Sequence, residues 1–190
     1  FNITYFDILI EDPIMGSNIT NFQDNVSGAE NKSKGIELST YWTDNKKIDI
    51  DFNYTLTKSY SGMDCDKPEK DKWGYTSCLD TGHGWLETAM VRVPIHALST
   101  KINYQFNNDL DGSFLLTYKG QTRDYGGTDY NFRDQILDEY LLVDLKGSYK
   151  LLEGYNLDFS IKNLLDEHYE NSLDYSGTPR TINIGLKLMY

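Results

Sequence analysis

The chain closes on Thr181-Ile182-Asn183-Ile184-Gly185-Leu186-Lys187-Leu188-Met189-Tyr190. Ile182, Ile184, Leu186, Leu188 and Tyr190 alternate with Thr181, Asn183, Gly185, Lys187 and Met189. Side chains on an extended backbone point to opposite faces in turn. This period of two therefore predicts a strand with one apolar and one polar face. By itself such a strand fits any antiparallel sheet that is wet on one side.

Working back from that strand, the same alternation recurs. Residues 155–162 set Tyr155, Leu157, Phe159 and Ile161 against Asn156, Asp158, Ser160 and Lys162. Residues 140–151 set Leu141, Val143, Leu145, Gly147, Tyr149 and Leu151 against Asp144, Lys146, Ser148 and Lys150. Residues 97–106 and 47–60 repeat the pattern, the latter with Ile48, Ile50, Phe52, Tyr54 and Leu56 on one face. No long stripe of helical period interrupts it. The expectation is an all-β, antiparallel fold of about eight strands, at 1–11, 31–43, 47–60, 89–106, 113–125, 139–151, 155–169 and 179–190.

Composition narrows the class. Only 39% of the 190 residues are hydrophobic, and no apolar run approaches the ~18–20 residues of a spanning helix, which excludes a helical membrane protein. The net charge of −11 gives no basic surface for nucleic acid. Aromatic residues make up 14% of the chain, with 15 tyrosines, and Pro is scarce, which argues against disorder. Two cysteines cannot build a disulfide-rich scaffold or a four-thiolate zinc site. A mean hydropathy of −0.56 is compatible with a membrane β-barrel, whose strands are only half apolar. The N-terminus, FNITYFDILIED, has no initiator Met and no basic or apolar leader, and it starts inside a strand. The chain is expected to be a segment of something longer.

The connections alternate in length. Residues 43–46, 107–112 and 152–154 are short; 12–30, 61–88, 126–138 and 170–178 are long. Short periplasmic turns and long extracellular loops are the habit of outer-membrane barrels, and counting back from Tyr190 puts the C-terminus on the short-turn, periplasmic side. On the apolar faces, Trp42, Tyr104, Phe106, Tyr149, Tyr155 and Tyr190 lie nearest the short turns and fit an aromatic girdle. The opposite faces carry Glu37, Asp49, Asp51, Lys101, Lys119, Asp144, Lys146, Asp158, Lys162 and Lys187, which need hydration or pairing. A complete eight-stranded barrel remains an alternative. It would be either a small outer-membrane protein or a soluble lipocalin-type binder with the apolar rows turned inward.

Several segments resemble one family. Asn163-Leu164-Leu165-Asp166-Glu167-His168-Tyr169 looks like the N-L-F-D-x-x-Y element near the end of TonB-dependent outer-membrane receptors, with Leu165 in place of the usual aromatic. Tyr175 and Gly177-Thr178-Pro179-Arg180 follow, then the alternating final strand; the family's Pro-Gly-Arg lacks its Gly here. Lys34-Gly35-Ile36-Glu37 resembles the K-G-[IV]-E strand opening, Arg92 to Leu98 the R-x-P-x-H-x-L approach to a strand, and Tyr140 to Leu145 the strand that opens the last three. The final strand, ending on Tyr190, also resembles the terminal strand that the barrel-assembly machinery recognises.

This resemblance implies that residues 1–190 are the C-terminal segment of the family's 22-stranded transmembrane β-barrel, without its plug domain. Eight strands are too few to enclose a plug. It implies location in the bacterial outer membrane and TonB-dependent uptake of a large scarce nutrient, cobalamin or a ferric siderophore or haem, with cobalamin favoured. The partners it implies are outer-membrane lipid and lipopolysaccharide, the TonB complex through the N-terminal region, the barrel-assembly machinery through the C-terminal strand, and a small-molecule nutrient.

Candidate site residues follow. Asn163, Leu164, Asp166, Tyr169, Pro179, Arg180, Ile182, Ile184, Leu186, Leu188 and Tyr190 carry the family motif and assembly signal. Trp73, Tyr75 and Trp85 in one long loop, and Arg123, Tyr125, Tyr130, Phe132 and Arg133 in another, are candidate ligand contacts, because aromatics on loops held by a rigid wall suit a large amphipathic ligand. Packing of loop on loop is the competing reading. Cys65 and Cys78 share the longest loop, and an oxidising compartment favours a disulfide closing ~15 residues; free thiols or metal ligation are the alternatives. His83, His96 and His168 are scattered without metal spacing. The acidic group Asp64, Asp66, Glu69 and Asp71 has no EF-hand order. No cofactor, metal or nucleophile–base pair is readable, so an enzyme is not expected.

Overall fold

The computed structural model describes residues 1–16, 23–25, 29–44, 46–64, 68–70, 76–78, 85–126 and 133–188. Eight strands form one meander: β1 (Asn2–Glu11), β2 (Ala29–Thr43), β3 (Ile48–Asp64), β4 (His96–Gln105), β5 (Leu110–Lys119), β6 (Tyr140–Leu152), β7 (Tyr155–Lys162) and β8 (Thr181–Leu188). Each pairs antiparallel with its neighbours in chain order, and the short strand Trp85–Ala89 adds to the far end of β3. No helix occurs among the described residues.

The sheet is open. Tyr5 pairs with Ile36 and Ile184 with Phe159, so β1 and β8 are the two edges and do not meet. A closed eight-stranded barrel requires that meeting. That alternative is thereby set aside, and the sheet is a portion of a larger barrel.

Register turns the alternation of single strands into a property of the whole surface. Directly paired residues share a face, so an apolar residue continues a row only if its partner is in phase. One row runs Trp42, Ile50, Ile102, Phe114, Leu145, Ile161 and Ile182 across seven strands. The next towards the short turns runs Ile48, Tyr104, Gly112, Gly147, Phe159 and Ile184. At Gly147 the Phe159 ring occupies the space a Cβ would need. All ten charged residues expected on the other face fall there in the same ladders. The other face also holds Phe6, Ile8, Ile10, Leu115 and Leu142, where the alternation is imperfect.

The apolar rows are uncovered. Tyr5, Ile36, Trp42, Ile182, Ile184 and Leu186 are all exposed, and among the described residues only Leu137, Tyr140 and Val143 are buried apolar side chains. A water-soluble sheet must cover such a face with a second layer. A single sheet without one is stable where lipid is the cover.

The aromatic residues also report the tilt. Trp42, Tyr104, Tyr149 and Tyr155 do not share a ladder row; each lies about one row lower than the last as the strands progress from β2 to β7. A drift of three rows is ~20 Å along the strands, across five strand spacings of ~4.8 Å. A level girdle therefore requires strands tilted by ~40°, the value for outer-membrane barrels. The upper edge of the apolar face slopes the same way, from the Tyr5–Ile36–Leu56 row on β1–β3 to Ile161 and Ile182 on β7 and β8. Tyr190, the sixth girdle candidate, lies outside the described residues.

Strand ends depart from expectation in three places. The strand expected at 89–106 is broken between Ala89 and His96, where Pro94 removes a ladder donor and Arg92 has φ 62°. That expected at 113–125 leaves the wall after Lys119, and Thr122–Gly126 pairs instead with Arg133–Leu137 as a separate hairpin. That expected at 155–169 stops at Lys162, because Asn163 turns the chain with φ 50°. The long connections hold further small hairpins, Ile14–Gly16 with Gln23–Asn25, Pro68–Lys70 with Thr76–Cys78, and Glu170–Ser172 with Tyr175–Ser176.

Candidate functional site

At the short-turn end the chain reverses locally. The Asp44 carboxylate accepts the backbone N–H groups of Lys46, Lys47 and Ile48 at 2.8, 2.7 and 3.0 Å. The Asn107 side-chain oxygen accepts those of Asp109 and Leu110 at 2.8 and 2.9 Å. Between β6 and β7 Gly154 takes φ 80°. These are Asx- and Gly-directed turns, reversed by side-chain hydrogen bonds or backbone conformation within the turn itself.

At the long-loop end two polar clusters tie the connections together. The first is built by the N-L-L-D segment. Asn163 is 4% exposed, and its side chain bonds to the backbone at two points of the β7–β8 connection. Its amide donates to the carbonyls of Glu167 and Thr178 at 2.9 and 3.1 Å, and its oxygen accepts the Glu167 N–H at 2.9 Å. Its own N–H donates to Asp144 at 2.9 Å. A left-handed residue with both donors and an acceptor is what Asn supplies. Asp166, at φ 56°, accepts the Arg180 N–H at 3.0 Å and pairs with its guanidinium at 3.4 Å. The Arg180 guanidinium also donates to the Leu164 carbonyl at 3.3 Å. Tyr169 lies over Gly177, and the Gly177 N–H donates to the Tyr169 carbonyl at 2.7 Å. The motif residues Asn163, Asp166, Tyr169 and Arg180 thus pin the β7–β8 connection.

The second cluster centres on Asp124, 1% exposed. Its carboxylate accepts the Arg92 Nε–H at 3.0 and 3.1 Å, the Ser172 hydroxyl at 3.2 Å and the Leu173 N–H at 2.8 Å. The Arg92 N–H donates to the Arg123 carbonyl at 2.7 Å. A buried carboxylate holds its charge only with such partners. They come from the approach to β4 and the β7–β8 connection, so a side chain of the 122–137 hairpin joins three loops. Beside it the Tyr140 hydroxyl donates to Asn171 at 2.6 Å, its ring packs on Tyr169 at 4.6 Å, and the Lys119 ammonium stands 5.9 Å from the ring centre. A cleft of about 360 Å³ opens between residues 135–140 and 166–179.

The candidate ligand contacts divide. Trp73, Tyr75, Tyr130 and Phe132 lie outside the described residues. Trp85 pairs with Asp64 at the top of β3; Arg123 and Tyr125 pair with Ile136 and Asp134, and Arg133 with Gly126. Arg123, Tyr125 and Arg133 are therefore brought together on the one hairpin that carries Asp124. Cys65 lies outside the described residues, and Cys78 pairs through its backbone with Pro68. Of the final-strand residues, Ile182, Ile184, Leu186 and Leu188 lie on the apolar face of β8, and Leu164 donates its N–H to the Val143 carbonyl at 2.7 Å. Among the described residues no group of His, Cys, Asp and Glu is arranged to hold a metal. Asp124 and Ser172 were not among the expected site residues; an acidic residue in a polar loop carries no local signal of burial.

Residues 1–164 match a family model described as TonB dependent receptor-like, beta-barrel. No curated protein matches the chain. Among solved structures, the fold is similar to the ferric-catecholate import receptor Fiu of E. coli K12, with 17% identity and a TM-score of 0.69 over 98% of this chain and 24% of that one. It is similar to the pyoverdine outer-membrane receptor FpvA from Pseudomonas aeruginosa PAO1, with 16% identity and a TM-score of 0.71 over 99% of this chain and 27% of that one. It is also similar to the FrpB iron transporter from Neisseria meningitidis, with 15% identity and a TM-score of 0.66 over 98% of this chain and 28% of that one. The chain spans about a quarter of the length of these receptors.

Proposed function

We propose, for a chain that belongs to the TonB-dependent receptor-like β-barrel family of the bacterial outer membrane, that it is a wall and rim segment of a receptor for a ferric siderophore or another iron complex. The observation that carries this reading is the pair of faces fixed by register. One is a slanted apolar band of spanning height; the other is a charged face suited to a hydrated lumen. The iron cargo is supported by what the similar structures are named for: ferric-catecholate import, pyoverdine reception and iron transport.

In this reading the Asn163 and Asp124 clusters hold the loop bases, and the loops above them present the ligand contacts. Trp73, Tyr75, Trp85, Arg123, Tyr125, Tyr130, Phe132 and Arg133 supply aromatic faces and cations to a large anionic, aromatic-rich complex. A Cys65–Cys78 disulfide steadies the longest loop. Energy coupling through TonB belongs to other parts of the receptor, and β8 with Tyr190 serves barrel assembly.

The test is uptake by cells that express the full-length receptor under iron limitation. Radiolabelled ferric siderophores should accumulate in a TonB-dependent manner, and cobalamin and haem are measured in parallel. Accumulation of cobalamin alone, or uptake indifferent to loss of TonB, would overturn the iron assignment.

A further inference from the structure

The charged face of the wall is not evenly charged. On β1–β3 it carries Glu37, Asp49 and Asp51, and among the described residues no Lys or Arg. Lys101 on β4 pairs directly with Asp51 and closes that half. On β5–β8 the same face carries five lysines, Lys119, Lys146, Lys150, Lys162 and Lys187, against three acids, Asp111, Asp144 and Asp158. The cross-strand partners of these lysines in the ladders are uncharged: Ala97 and Tyr140 for Lys119, Ser113 and Ser160 for Lys146, Asn156 for Lys150 and Lys187, and Thr181 for Lys162. Two of the three acids are engaged, Asp144 by the Asn163 N–H at 2.9 Å and Asp158 by the Ser148 hydroxyl at 2.7 Å. Among the described residues none of the five lysines forms an ion pair. They descend the wall in three levels. Lys119 stands at the rim, its ammonium 5.9 Å from the Tyr140 ring centre. Lys146 and Lys162 lie in the middle, one row and one strand apart, or ~8 Å. Lys150 and Lys187 flank Asn156 beside the short turns. A chain of net charge −11 thus sets a column of unpaired cations down one side of this face.

We infer that the β5–β8 side of the lumen is the track along which the cargo descends, and that the cargo it carries is an anion. A passage lined by one sign of charge between low-dielectric walls focuses the field and raises the local concentration of the opposite ion. Lysine suits the task, as a point charge on a flexible stem that follows a moving anion without fixing its orientation. The spacing suits it too. Levels ~14–20 Å apart along the strands offer several weak contacts in turn, and passage requires binding favourable enough to enter yet weak enough to leave. Glu37 and Asp49 repel the same anion from the β1–β3 side. This inference rests on the reading of the charged face as the lumen of an iron-complex receptor, and it adds to that reading the route and the sign of the cargo's charge.

Cells that express the full-length receptor are given a radiolabelled ferric tris-catecholate, in which three doubly deprotonated catechols leave the iron(III) complex a trianion. Surface binding is measured without TonB and saturated uptake with it, each normalised to receptor in the outer membrane. Lys146→Gln, Lys162→Gln and Lys187→Gln combined should slow uptake by roughly tenfold. Surface affinity should shift by less than about twofold, because these residues lie beyond a screening length from the loops. The matching triple Arg variant keeps the charge and should keep the rate. Glu37→Gln, Asp49→Asn and Asp51→Asn combined remove as many charges from the other side and should not slow uptake. An unchanged rate in the triple Gln variant, or an equal fall in both triple variants, would overturn the inference. So would entry of a small neutral solute without TonB in the triple Gln variant, which would mean that the lysines hold another part of the receptor in the lumen. The two readings separate on the unmodified receptor: if it takes up no iron complex both are lost, whereas normal uptake that the triple Gln variant matches defeats only the track.

Discussion

At the short-turn end of the sheet, Asp44 and Asn107 accept hydrogen bonds from residues no more than four positions away. At the long-loop end, Asn163 reaches fifteen positions to Thr178, and Asp124 reaches forty-nine to Leu173. The two ends solve the same problem, reversing a strand, by different means. Local turns let consecutive strands register early and cheaply, since a short loop costs little closure entropy. The rim instead spends long-range contacts to hold loops that the sheet does not need, and such contacts are expected where the loops have work to do.

The contrast breaks most visibly at Asn163. Asn163→Ala removes both amide donors and the side-chain acceptor at a 4%-exposed position, and puts a Cβ residue without a polar side chain at φ 50°. A loss of about 3–4 kcal/mol is expected. Urea unfolding of the full-length receptor, followed by its heat-modifiable mobility, should show it as a lower midpoint. The matched change Asn107→Ala exposes two N–H groups that water can satisfy, and should cost about 1 kcal/mol or less. Equal midpoints for the two variants would erase the distinction between the ends.

The next largest effect is at Asp124. Asp124→Ala leaves the Arg92 Nε–H, the Ser172 hydroxyl and the Leu173 N–H without their acceptor. The wall strands keep their ladders, so the damage is local opening of about 2–3 kcal/mol. Hydrogen exchange at Leu173 should quicken by roughly 30- to 160-fold, with exchange at Lys47 and Leu110 unchanged. Ligand affinity should fall through looser loops, more than global stability does. Unchanged protection at Leu173 would show that the carboxylate does not join the loops.

This division also marks what was legible in the sequence. The wall was: alternation is a local signal, and register merely repeats it across strands, so the apolar rows and the ten-residue charged face follow from spacing. The reversals at Asp44 and Asn107 lay where short polar connections placed them. The rim was only half legible. Asn163-Leu164-Leu165-Asp166 stood out by resemblance, yet nothing local says that Asn163 is buried or which carbonyls it meets. Arg92 stood in a recognisable motif without its partner, because Asp124 is distant in sequence and becomes a neighbour only when three loops converge. Strand ends failed for the same reason. Lys119 and Lys162 continue their patterns on paper, but the Asp124 joint and the Asn163 turn draw the following residues out of the sheet.

The smallest expected effect tests whether the short-turn end is as self-contained as its geometry implies. The backbone N–H groups of Ile48, Lys47 and Lys46, in that order of effect, hold the Asp44 carboxyl below the usual carboxylate range. A carboxyl whose folded pKa is depressed stabilises the fold above its unfolded pKa, ~3.9, and loses that contribution as pH falls through the lower folded value. The turn should therefore be insensitive to pH near neutrality and loosen only on the acid side of ~4. Because Asp44 is exposed and the N–H groups it releases can turn to water, the loosening should stay within residues 44–48. Amide protection at Lys47 and Ile48, measured against pH and corrected for intrinsic exchange, should fall in that acid window, while protection at Leu110 beside the uncharged Asn107 does not. Asp44→Asn keeps the acceptor and should remove the acid step. A step that persists in Asp44→Asn, or that spreads to Leu110, would mean that the short turns are coupled through the wall and are not independent local devices.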